Sequence, residues 1–377
     1  MTEWYVVGGM VRDLLLGRPP HDMDFAFAGG VDAFVQALPH ARKVGRSVDV
    51  WVARGLEFRP LQGETPAEDL LARDLTVNAL AVDARGRLYA HPRALADMRD
   101  GVLRLAADDA LNRDPVRVFR VARMAAELPD FIVHPETLER MRELGASPAL
   151  AALPAERVAH EVRRVLEADR PSRFLRVLDE GGCLEPWFAE LAQAGRIPAG
   201  PAPWHDESVL EHTGTVMDLV AGDSLAVWMA LCHDLGKVST DPALWPHHYG
   251  HELRGERAAD ALACRLRLPG RCRKAGMLAA RLHMKAGRYR TLRPGTRRDV
   301  VWDAHVAGLH TPFWKLVNAD SGVDLRPEAD RDRAVLLAVR LPEEWRGLGE
   351  ESGRRLRELQ CRALAAYPCK AANDRAI

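Results

Sequence analysis

The sequence predicts an α+β protein in which a mixed α/β head precedes regions that are almost entirely helical. Up to about Leu105, short β-branched and apolar runs alternate with segments of helical periodicity, as in a mixed α/β domain. Beyond that residue the spacing of apolar positions is helical. The chain has 377 residues, of which 47% are hydrophobic, and this is enough for two or three domains with their own cores.

The elements follow in chain order. Four short runs rich in valine or aromatic residues are interpreted as strands, over residues 5–7, 23–27, 48–53 and 77–82. Proline then marks two helix starts, at Asp114-Pro115 for a helix over 116–126 and at Pro154 for one toward Leu166. Residues 197–203 are rich in Pro and Gly and are interpreted as a linker, and an Arg- and Glu-rich tail begins near Arg326.

Composition argues against a membrane protein and against a disulfide framework. No apolar stretch approaches the length of a membrane span, and Glu3 stands where a signal peptide would carry positive charge, so we expect a cytoplasmic protein. The six cysteines show no CxxC spacing and are expected to be reduced thiols. Because the formal net charge is zero, binding of nucleic acid would depend on a local basic surface.

A glycine turn followed by two aspartates gives the first chemical signal. Gly8 and Gly9 follow the first predicted strand, and without Cβ atoms they allow backbone N–H groups to approach a phosphate. Asp22 and Asp24 alternate along the next strand, so their carboxylates can face one side and supply the hard oxygen ligands that Mg²⁺ prefers. Arg12, near the start of the intervening helix, is a phosphate ligand by type. Together these residues indicate nucleotidyl transfer.

Five motifs then occur in a diagnostic order. They are Gly8-Gly9-Met10-Val11-Arg12-Asp13-Leu14-Leu15-Leu16-Gly17, Asp22-Met23-Asp24, Arg73-Asp74-Leu75-Thr76-Val77-Asn78-Ala79, Asp114-Pro115-Val116-Arg117 and Glu156-Arg157-Val158. This order resembles that of the class II tRNA nucleotidyltransferases, the CCA-adding enzymes. The resemblance implies a polymerase-β-like nucleotidyltransferase head over residues 1–112, a nucleotide-selecting and tRNA-binding neck over 113–203, an HD-type helical domain over 204–325 and a helical tail over 326–377.

The resemblance also implies a template-independent reaction that uses two metal ions. Asp22 and Asp24 would hold Mg²⁺ at the 3′ end of a tRNA acceptor. Arg73, Asp74 and Asn78 would contact the sugar and phosphates of the incoming nucleotide, although the same residues can simply cap a helix and pair on its surface. Arg120 is a further candidate for the triphosphate or for the tRNA backbone.

Asp114 and Arg117 are predicted to select the base. Three residues apart on a helix, they would lie on one face, where an ordinary ion pair contributes about 0.2–0.5 kcal/mol. A carboxylate only accepts and a guanidinium only donates hydrogen bonds. Cytosine and adenine both present an amino donor beside a ring-nitrogen acceptor, whereas uracil and guanine reverse both bonds. The pair can therefore select C and A, because U or G would leave buried polar groups unpaired.

Two departures from the family pattern adjoin these motifs: Arg113 replaces a usual glutamate, and His21 replaces a usual lysine. A third concerns the segment before Arg73, where full CCA-adding relatives carry an extended flexible loop that this chain lacks. Switching from C to A requires a reshaped pocket, and a mobile loop would supply that change. We therefore expect a CC-adding enzyme that uses CTP and leaves the last adenosine to a separate A-adding enzyme. The alternative is a full CCA-adding enzyme that uses CTP and ATP.

A second constellation lies in the later helical region. His233-Asp234 ends the apolar run Leu225–Cys232, and with His212 and Asp320 it resembles the metal site of HD-type phosphohydrolases. His247, His248, His251 and His283 offer further nitrogen ligands. Imidazoles with carboxylates favour a transition metal such as Ni²⁺ or Mn²⁺ over Mg²⁺. Surface histidines without any ligand are the ordinary alternative.

Two competing functions share some of these motifs. A bacterial poly(A) polymerase has the head motifs, but it would be expected to carry a longer basic extension and no HD unit. An HD phosphohydrolase with an inactive head would be expected to have a damaged metal site, whereas Asp22, Asp24 and Arg12 are all present. The sequence therefore favours tRNA as the substrate.

Overall fold

The computed structural model describes residues 2–20, 23–44, 49–202 and 206–369. These residues form two compact units. The first comprises the chain up to Leu153 together with Val177–Cys183, and the second comprises Pro154–Arg176 and the chain from Leu184 onward. The observed mixed sheet and helices agree with the predicted α+β class, whereas the predicted boundaries at residues 112, 203 and 325 stay predictions.

The first unit is built on a mixed sheet of seven strands within the described residues. The strands are β1 Glu3–Val7, β2 Asp24–Ala28, β3 Arg42–Val44, β4 Val50–Ala53, β5 Leu56–Pro60, β6 Leu80–Asp83 and β7 Leu88–Ala90. Their order across the sheet is β3-β4-β5-β2-β1-β6-β7, and β2 runs parallel to β5 while the other neighbours are antiparallel. Two short parallel strands, β8 Val102–Leu103 and β9 Ile132–Val133, pair separately.

Side chains alternate between the two faces of this sheet, so each face has its own core. Phe27 and Phe58 pack with Phe34 on one face. Tyr5, Val7 and Ala26 pack with Leu70 on the other. The helices of this unit are α1 Gly9–Leu15, α2 Val31–Ala37, α3 Pro66–Leu71, α4 Ala94–Asp100, α5 Ala110–Arg113, α6 Arg117–Glu127 and α7 Pro135–Gly145.

The connection between β5 and α3 is short and is hydrogen-bonded to the start of α3. It consists of residues 61–65. Thr65 caps α3 by accepting from Glu68 N–H, and the Glu68 carboxylate accepts in return from the backbone of Thr65, which is the capping-box arrangement. The same carboxylate accepts from Glu64 N–H at 2.6 Å. The strand therefore leads into the helix through a hydrogen-bonded turn.

The second unit is helical. Its helices are α8 Ala155–Val165, α9 Ser172–Glu180, whose last four residues belong to the first unit, α10 Val209–Leu219, α11 Ser224–Cys232, α12 His251–Arg265, α13 Gly270–Gly287, α14 Pro294–Val306, α15 His310–Ser321, α16 Arg326–Ala338 and α17 Glu350–Ala365. Helix α11 is buried on every side from Ala226 to Cys232. A Cβ on Gly236, just after it, would lie 2.0 Å from the carbonyl oxygen of His251, so the absence of a side chain lets this turn touch the start of α12.

The predicted elements can be compared with this fold. The helix after Pro154 and the strands ending at Val7 and near Phe27 are confirmed to within two residues. The linker interpretation of residues 197–203 is wrong for the described part, because Ala199 and Gly200 are buried and Ala199 N–H donates to Glu207 O at 2.9 Å. No described helix combines the length and the apolar character needed to cross a membrane.

Candidate functional sites

The glycine turn after β1 lies directly against an arginine. Gly8 has φ 73° and donates its N–H to Leu80 O at 2.9 Å. A Cβ at this residue would lie 3.0 Å from Nη1 of Arg73. Both the positive φ and the close guanidinium require glycine here. The turn therefore brings glycine backbone and the Arg73 guanidinium together, and a phosphate site needs both.

Asp24 begins β2 and has a second carboxylate beside it. Its strand partner in the parallel register is Glu57 of β5, and paired residues project from the same face of a sheet. Phe25 and Phe58 occupy the opposite face in the aromatic core. Asp22, the other predicted metal ligand, lies outside the described residues. The described geometry therefore places two carboxylate residues, Asp24 and Glu57, side by side on one face of the sheet.

Sequence reasoning missed Glu57 because its position depends on pairing between strands that are distant in the chain. A local signal was nevertheless present. Leu56, Phe58 and Pro60 alternate with Glu57 and Arg59, and such a period of two predicts a strand with one polar face.

A buried ion pair holds Arg73 over the glycine turn. Asp69 accepts from Nε and Nη2 of Arg73 at 3.0 and 2.7 Å, and its other oxygen accepts from Gln62 N–H at 3.0 Å. The two residues are only 3% and 9% exposed. Because buried charged hydrogen bonds are short and directional, Asp69 fixes the orientation of the Arg73 guanidinium.

A chain of hydrogen bonds joins the next predicted residues. Arg12 donates to Asp13 at 2.8 Å and to Asn78 Oδ1 at 2.6 Å. Asn78 in turn donates to Asp74 Oδ1 at 3.3 Å. Nε of Arg120 lies 3.0 Å from Asp74 Oδ2, as an ion pair without hydrogen-bond geometry. The sequence predicts that Arg12 contacts phosphate. Its guanidinium is instead buried and hydrogen-bonded to Asp13 and Asn78, an arrangement suited to holding Asn78 in place.

Asp74 is the main charged group in this series of hydrogen bonds. Burial alone would raise the pKa of its carboxyl, but the charge of Arg120 and hydrogen bonds from Leu75 N–H and Asn78 hold that pKa well below its usual range. Asp74 is therefore an anion at neutral pH. It balances Arg120, whose side chain is partly exposed.

The predicted geometry of Asp114 and Arg117 needs correction. Asp114 lies between α5 and α6 with extended backbone, φ −151° and ψ 95°, and Arg117 is the first residue of α6. They are therefore not three apart on one helix. The cause is Pro115, because a residue that precedes proline is driven out of the helical region. Both residues do stay in the same turn, since Arg117 N–H donates to Asp114 O at 3.0 Å.

The side chain of Arg117 is engaged with the backbone. Nη2 donates to Ala72 O at 2.7 Å, and Nη1 donates to Arg73 O and Ala110 O at 3.3 and 3.1 Å. Its Nε is buried and has no acceptor among the residues that the structure describes. Arg117 therefore joins the turn that contains Asp114 to the backbone of Arg73.

The second constellation is a buried cluster of imidazoles around Asp234. His212, at 5% exposure, comes from α10, His233 and Asp234 follow α11, and Asp320 belongs to α15. Nε2 of His212 lies 3.1 Å from Asp320 Oδ1, and Nε2 of His233 lies 3.1 Å from Asp234 Oδ2. The two Nε2 atoms are 3.3 Å apart. The four predicted HD residues thus converge.

Asp234 also faces a second pair of histidines. Its Oδ1 lies 3.4 Å from Nε2 of His251 and 3.3 Å from Nε2 of His283. Two groups with metal-ligand geometry, His212–His233–Asp234 and Asp234–His251–His283, therefore share this carboxylate. A carboxylate with one oxygen toward each group can bridge two cations.

All four imidazoles are oriented by oxygen acceptors behind them. Nδ1 of His212 contacts Glu207 Oε1 at 2.9 Å, while Nδ1 of His233 and of His251 contact Ala230 O and His248 O, each at 2.7 Å. Nδ1 of His283 contacts Ala279 O at 3.1 Å. A carbonyl or carboxylate acceptor fixes the proton on Nδ1, and this leaves the Nε2 lone pair for a metal.

Two other predicted ligand candidates lie outside the cluster. His248 has both ring nitrogens engaged, with Thr240 Oγ1 at 3.1 Å and Pro198 O at 2.8 Å. His247 is exposed and stacks on Tyr249 with ring centroids 5.7 Å apart. Lys237, which was not predicted as part of the site, lies 2.6 Å from Asp234 Oδ2 and donates to Ala199 O at 2.8 Å.

Ion pairs and hydrogen bonds keep the carboxylates of this cluster charged. Burial alone would raise the pKa of Asp320, yet the hydrogen bond from His212 and the charge of His233 hold it well below its usual range. The pKa of Asp234 is lowered as well, because the neighbouring His233 and Lys237 outweigh its burial. Both carboxylates are therefore ionised, which is the form that binds divalent metals, and a metal would displace the Nε2 protons that make these contacts.

The sheet with its glycine turn and carboxylate edge, followed by a helical unit, defines a nucleotidyltransferase head joined to a helical body. Comparison with known families agrees. The family described as "Poly A polymerase head domain" matches residues 4–54, and the family described as "Probable RNA and SrmB- binding site of polymerase A" matches residues 130–194.

Curated relatives extend the match over most of the chain. A multifunctional CCA protein of Xanthomonas campestris pv. campestris (strain B100) is 37% identical over 325 residues, which cover 79% of this chain and 78% of the relative. The multifunctional CCA protein of Azoarcus sp. (strain BH72) is 38% identical over 321 residues, 79% of this chain and 77% of the relative. The chain therefore belongs to the class II CCA-adding enzyme family and is a tRNA nucleotidyltransferase.

Solved structures show the same fold. The CCA-adding enzyme of Bacillus stearothermophilus, determined in complex with CTP, has a TM-score of 0.68 at 22% identity and covers 97% of this chain and 89% of its own. That of Thermotoga maritima, complexed with tRNA, has a TM-score of 0.61 at 17% identity and covers 99% and 88%. Family membership implies dependence on a divalent metal ion.

Proposed function

We propose that this enzyme adds cytidines from CTP to the 3′ acceptor end of tRNA and stops after CC. The observation that carries the proposal is the connection of residues 61–65 between β5 and α3. Gln62 N–H is bonded to Asp69 and Glu64 N–H to Glu68, so the connection is tied to the helix that bears Arg73. A short, bonded segment does not supply the movement that a change from C to A requires.

The residues of the head divide into three groups by role. Asp22 and Asp24, joined by Glu57, would hold two Mg²⁺ ions, which supply activation of a hydroxyl and stabilisation of a leaving pyrophosphate. Gly8, Gly9, Arg73 and Arg120 would bind phosphates, and Asp74 with Asn78 would bind the sugar, with Arg12 holding Asn78. In the reaction the 3′-hydroxyl of tRNA attacks the α-phosphate of CTP, and pyrophosphate departs.

Asp114 and Arg117 would select the base from the turn before α6. The unused Nε–H of Arg117 is a donor for the ring-nitrogen acceptor of cytosine, and the Asp114 carboxylate would accept from the exocyclic amine. Contacts of Arg117 with Ala72 O and Ala110 O fix its orientation. A fixed arginine favours one base size over the two that a full CCA-adding enzyme must accommodate.

The test is to incubate tRNA that lacks CCA with CTP and ATP and to size the products. We expect extension by two nucleotides, and completion by one more only when a separate A-adding enzyme is supplied. Asp24→Asn is the control for the reaction itself and should abolish incorporation. Efficient addition of all three nucleotides by this chain alone would contradict the CC assignment and support a full CCA-adding enzyme.

A second activity is favoured by the shared Asp234 in the helical unit. The ligand set His212, His233, Asp234 and Asp320, extended by His251 and His283, fits two divalent transition ions such as Ni²⁺ or Mn²⁺. Paired metals can bind a phosphoester and lower the pKa of a bound water, so this site would hydrolyse phosphoesters. Asp234 belongs to both groups of ligands and would help to hold both ions.

Metal content tests this second activity without relying on turnover. We expect about two transition ions per chain, and His283→Gln should remove one of them and most phosphoester hydrolysis. His247→Gln is the matched control, since His247 is an exposed imidazole outside the cluster. Unchanged metal content and hydrolysis in His283→Gln would remove the assignment, and nucleotide incorporation by the head should be unaffected in both variants.

A further inference from the structure

Arg59 is a basic residue of the head to which the motifs assign no role. It lies on β5, with Ala26 as its register partner on β2, so it projects from the same sheet face as Asp24 and Glu57. Four charged groups of the proposed nucleotide site, those of Arg73, Asp69, Asp24 and Arg120, act on its guanidinium.

Arg59 differs from the other arginines of this face in its partners. Arg12 donates to Asp13 and Asn78, Arg73 to Asp69, and Arg117 to backbone carbonyls. Arg120 pairs with Asp74. By contrast, Arg59 makes no hydrogen bond or ion pair with any residue that the structure describes, although its Nε is fully shielded from solvent.

A shielded Nε–H without an acceptor is costly. Nearby Asp69 is already occupied by Arg73 and by Gln62 N–H. The Asp24 carboxylate is assigned to metal binding. Within the part of the chain that the structure describes, the cation therefore has no paired anion, and an incoming anion would neutralise it.

We propose that Arg59 binds the triphosphate of the incoming nucleotide and holds the pyrophosphate product, as a further ligand beside Arg73 and Arg120. The inference rests on the proposed nucleotide site and adds a residue to it. Phosphate oxygens match the planar fork of a guanidinium, and the Nε of Arg59 is already shielded from solvent, so a phosphate would supply the acceptor that Nε lacks. Arg59 takes no part in base selection or in tRNA binding.

The experiment compares Arg59→Gln and Arg59→Lys with an exposed control, Arg85→Gln, from the hairpin between β6 and β7. Thermal unfolding is recorded without ligand and with inorganic pyrophosphate plus Mg²⁺, and KM values are measured for CTP and for tRNA. We expect Arg59→Gln to melt no lower than wild type without ligand, because the change removes a cation that has no partner among the described residues. Its pyrophosphate affinity should fall about tenfold to a hundredfold, with a matching rise in KM for CTP.

The remaining readouts separate ligand binding from a structural role. KM for tRNA should be unchanged, Arg59→Lys should recover part of the pyrophosphate affinity, and Arg85→Gln should match wild type. A ligand-free Arg59→Gln protein that melts several degrees lower but binds pyrophosphate normally would overturn the inference and make Arg59 a structural counter-ion. Failure of the wild-type protein itself to bind Mg²⁺-pyrophosphate would overturn the proposed nucleotide site together with this inference.

Discussion

Replacing Asp69 by asparagine tests whether a buried ion pair orients Arg73, the proposed phosphate ligand. The Asp69 carboxylate accepts from Nε and Nη2 of Arg73 through one oxygen and from Gln62 N–H through the other. An asparagine side chain offers only one acceptor oxygen. Either Arg73 loses both of its hydrogen bonds, or Gln62 N–H faces an amide donor.

The expected magnitude follows from burial. Breaking a buried pair by removing one charge costs about 3–5 kcal/mol, and the hydrogen bond that asparagine retains returns about 1 kcal/mol. We therefore expect the free energy of unfolding to fall by about 2–4 kcal/mol, measured by urea denaturation. Because Arg73 would no longer be held against Gly8, KM for CTP should rise by about tenfold, equivalent to about 1.4 kcal/mol of binding free energy.

The chain contains a matched control for this change. Asp109 and Arg113 form another aspartate–arginine pair four residues apart, but their side chains are 57% and 42% exposed, compared with 3% and 9% for Asp69 and Arg73. Asp109→Asn should cause no measurable loss of stability, since solvent screens such a pair. Equal stabilities of the two variants, or an unchanged KM for CTP in Asp69→Asn, would refute the role given to the buried pair.

Three further results are expected. Gly8→Ala should reduce CTP affinity, because the new Cβ would contact the guanidinium of Arg73. Gly17→Ala is the control: Gly17 has a similar positive φ but no atom within 4 Å of its Cβ, so this variant should show only the backbone strain of about 1–2 kcal/mol. Equal CTP affinities of the two variants would contradict this reasoning. Asp74, whose pKa is lowered by Arg120, stabilises the fold above about pH 4 and loses that contribution as pH falls, so urea titrations should show a flatter acid dependence in Asp74→Asn. Burial raises the pKa of the Cys183 thiol to about 12, so at pH 8 alkylation followed by mass spectrometry should label exposed Cys264 and spare Cys183.

Local patterns were sufficient where one segment carries the structural signal. The β1 run ending at Val7, the helix after Pro154 and the apolar helix before His233 were all predicted close to their observed bounds. Each has its own periodicity or cap, so no distant partner is needed to recognise it. The convergence of His212, His233, Asp234 and Asp320 also agrees with the HD-type pattern, because the resemblance supplied the long-range pairing.

Long-range packing accounts for the parts that were missed. Glu57 and Arg59 belong to the proposed nucleotide site because β5 pairs in parallel with β2, and that pairing places them beside Asp24. Arg12 looks like an exposed phosphate ligand in sequence, yet it is buried against Asn78. Asp114 precedes a proline, and this local feature is enough to predict that its backbone is extended and outside a helix.

The central claim is that this head adds cytidine and does not add the terminal adenosine. It is tested most directly by single-nucleotide extension under matched conditions, with tRNA ending in one C supplied with CTP alone and tRNA ending in CC supplied with ATP alone. Both reactions use the same enzyme preparation, Mg²⁺ concentration and tRNA body. We expect the first tRNA to be extended by one nucleotide and the second to remain unchanged. Addition of adenosine to the second tRNA at a rate within tenfold of cytidine addition would contradict the account.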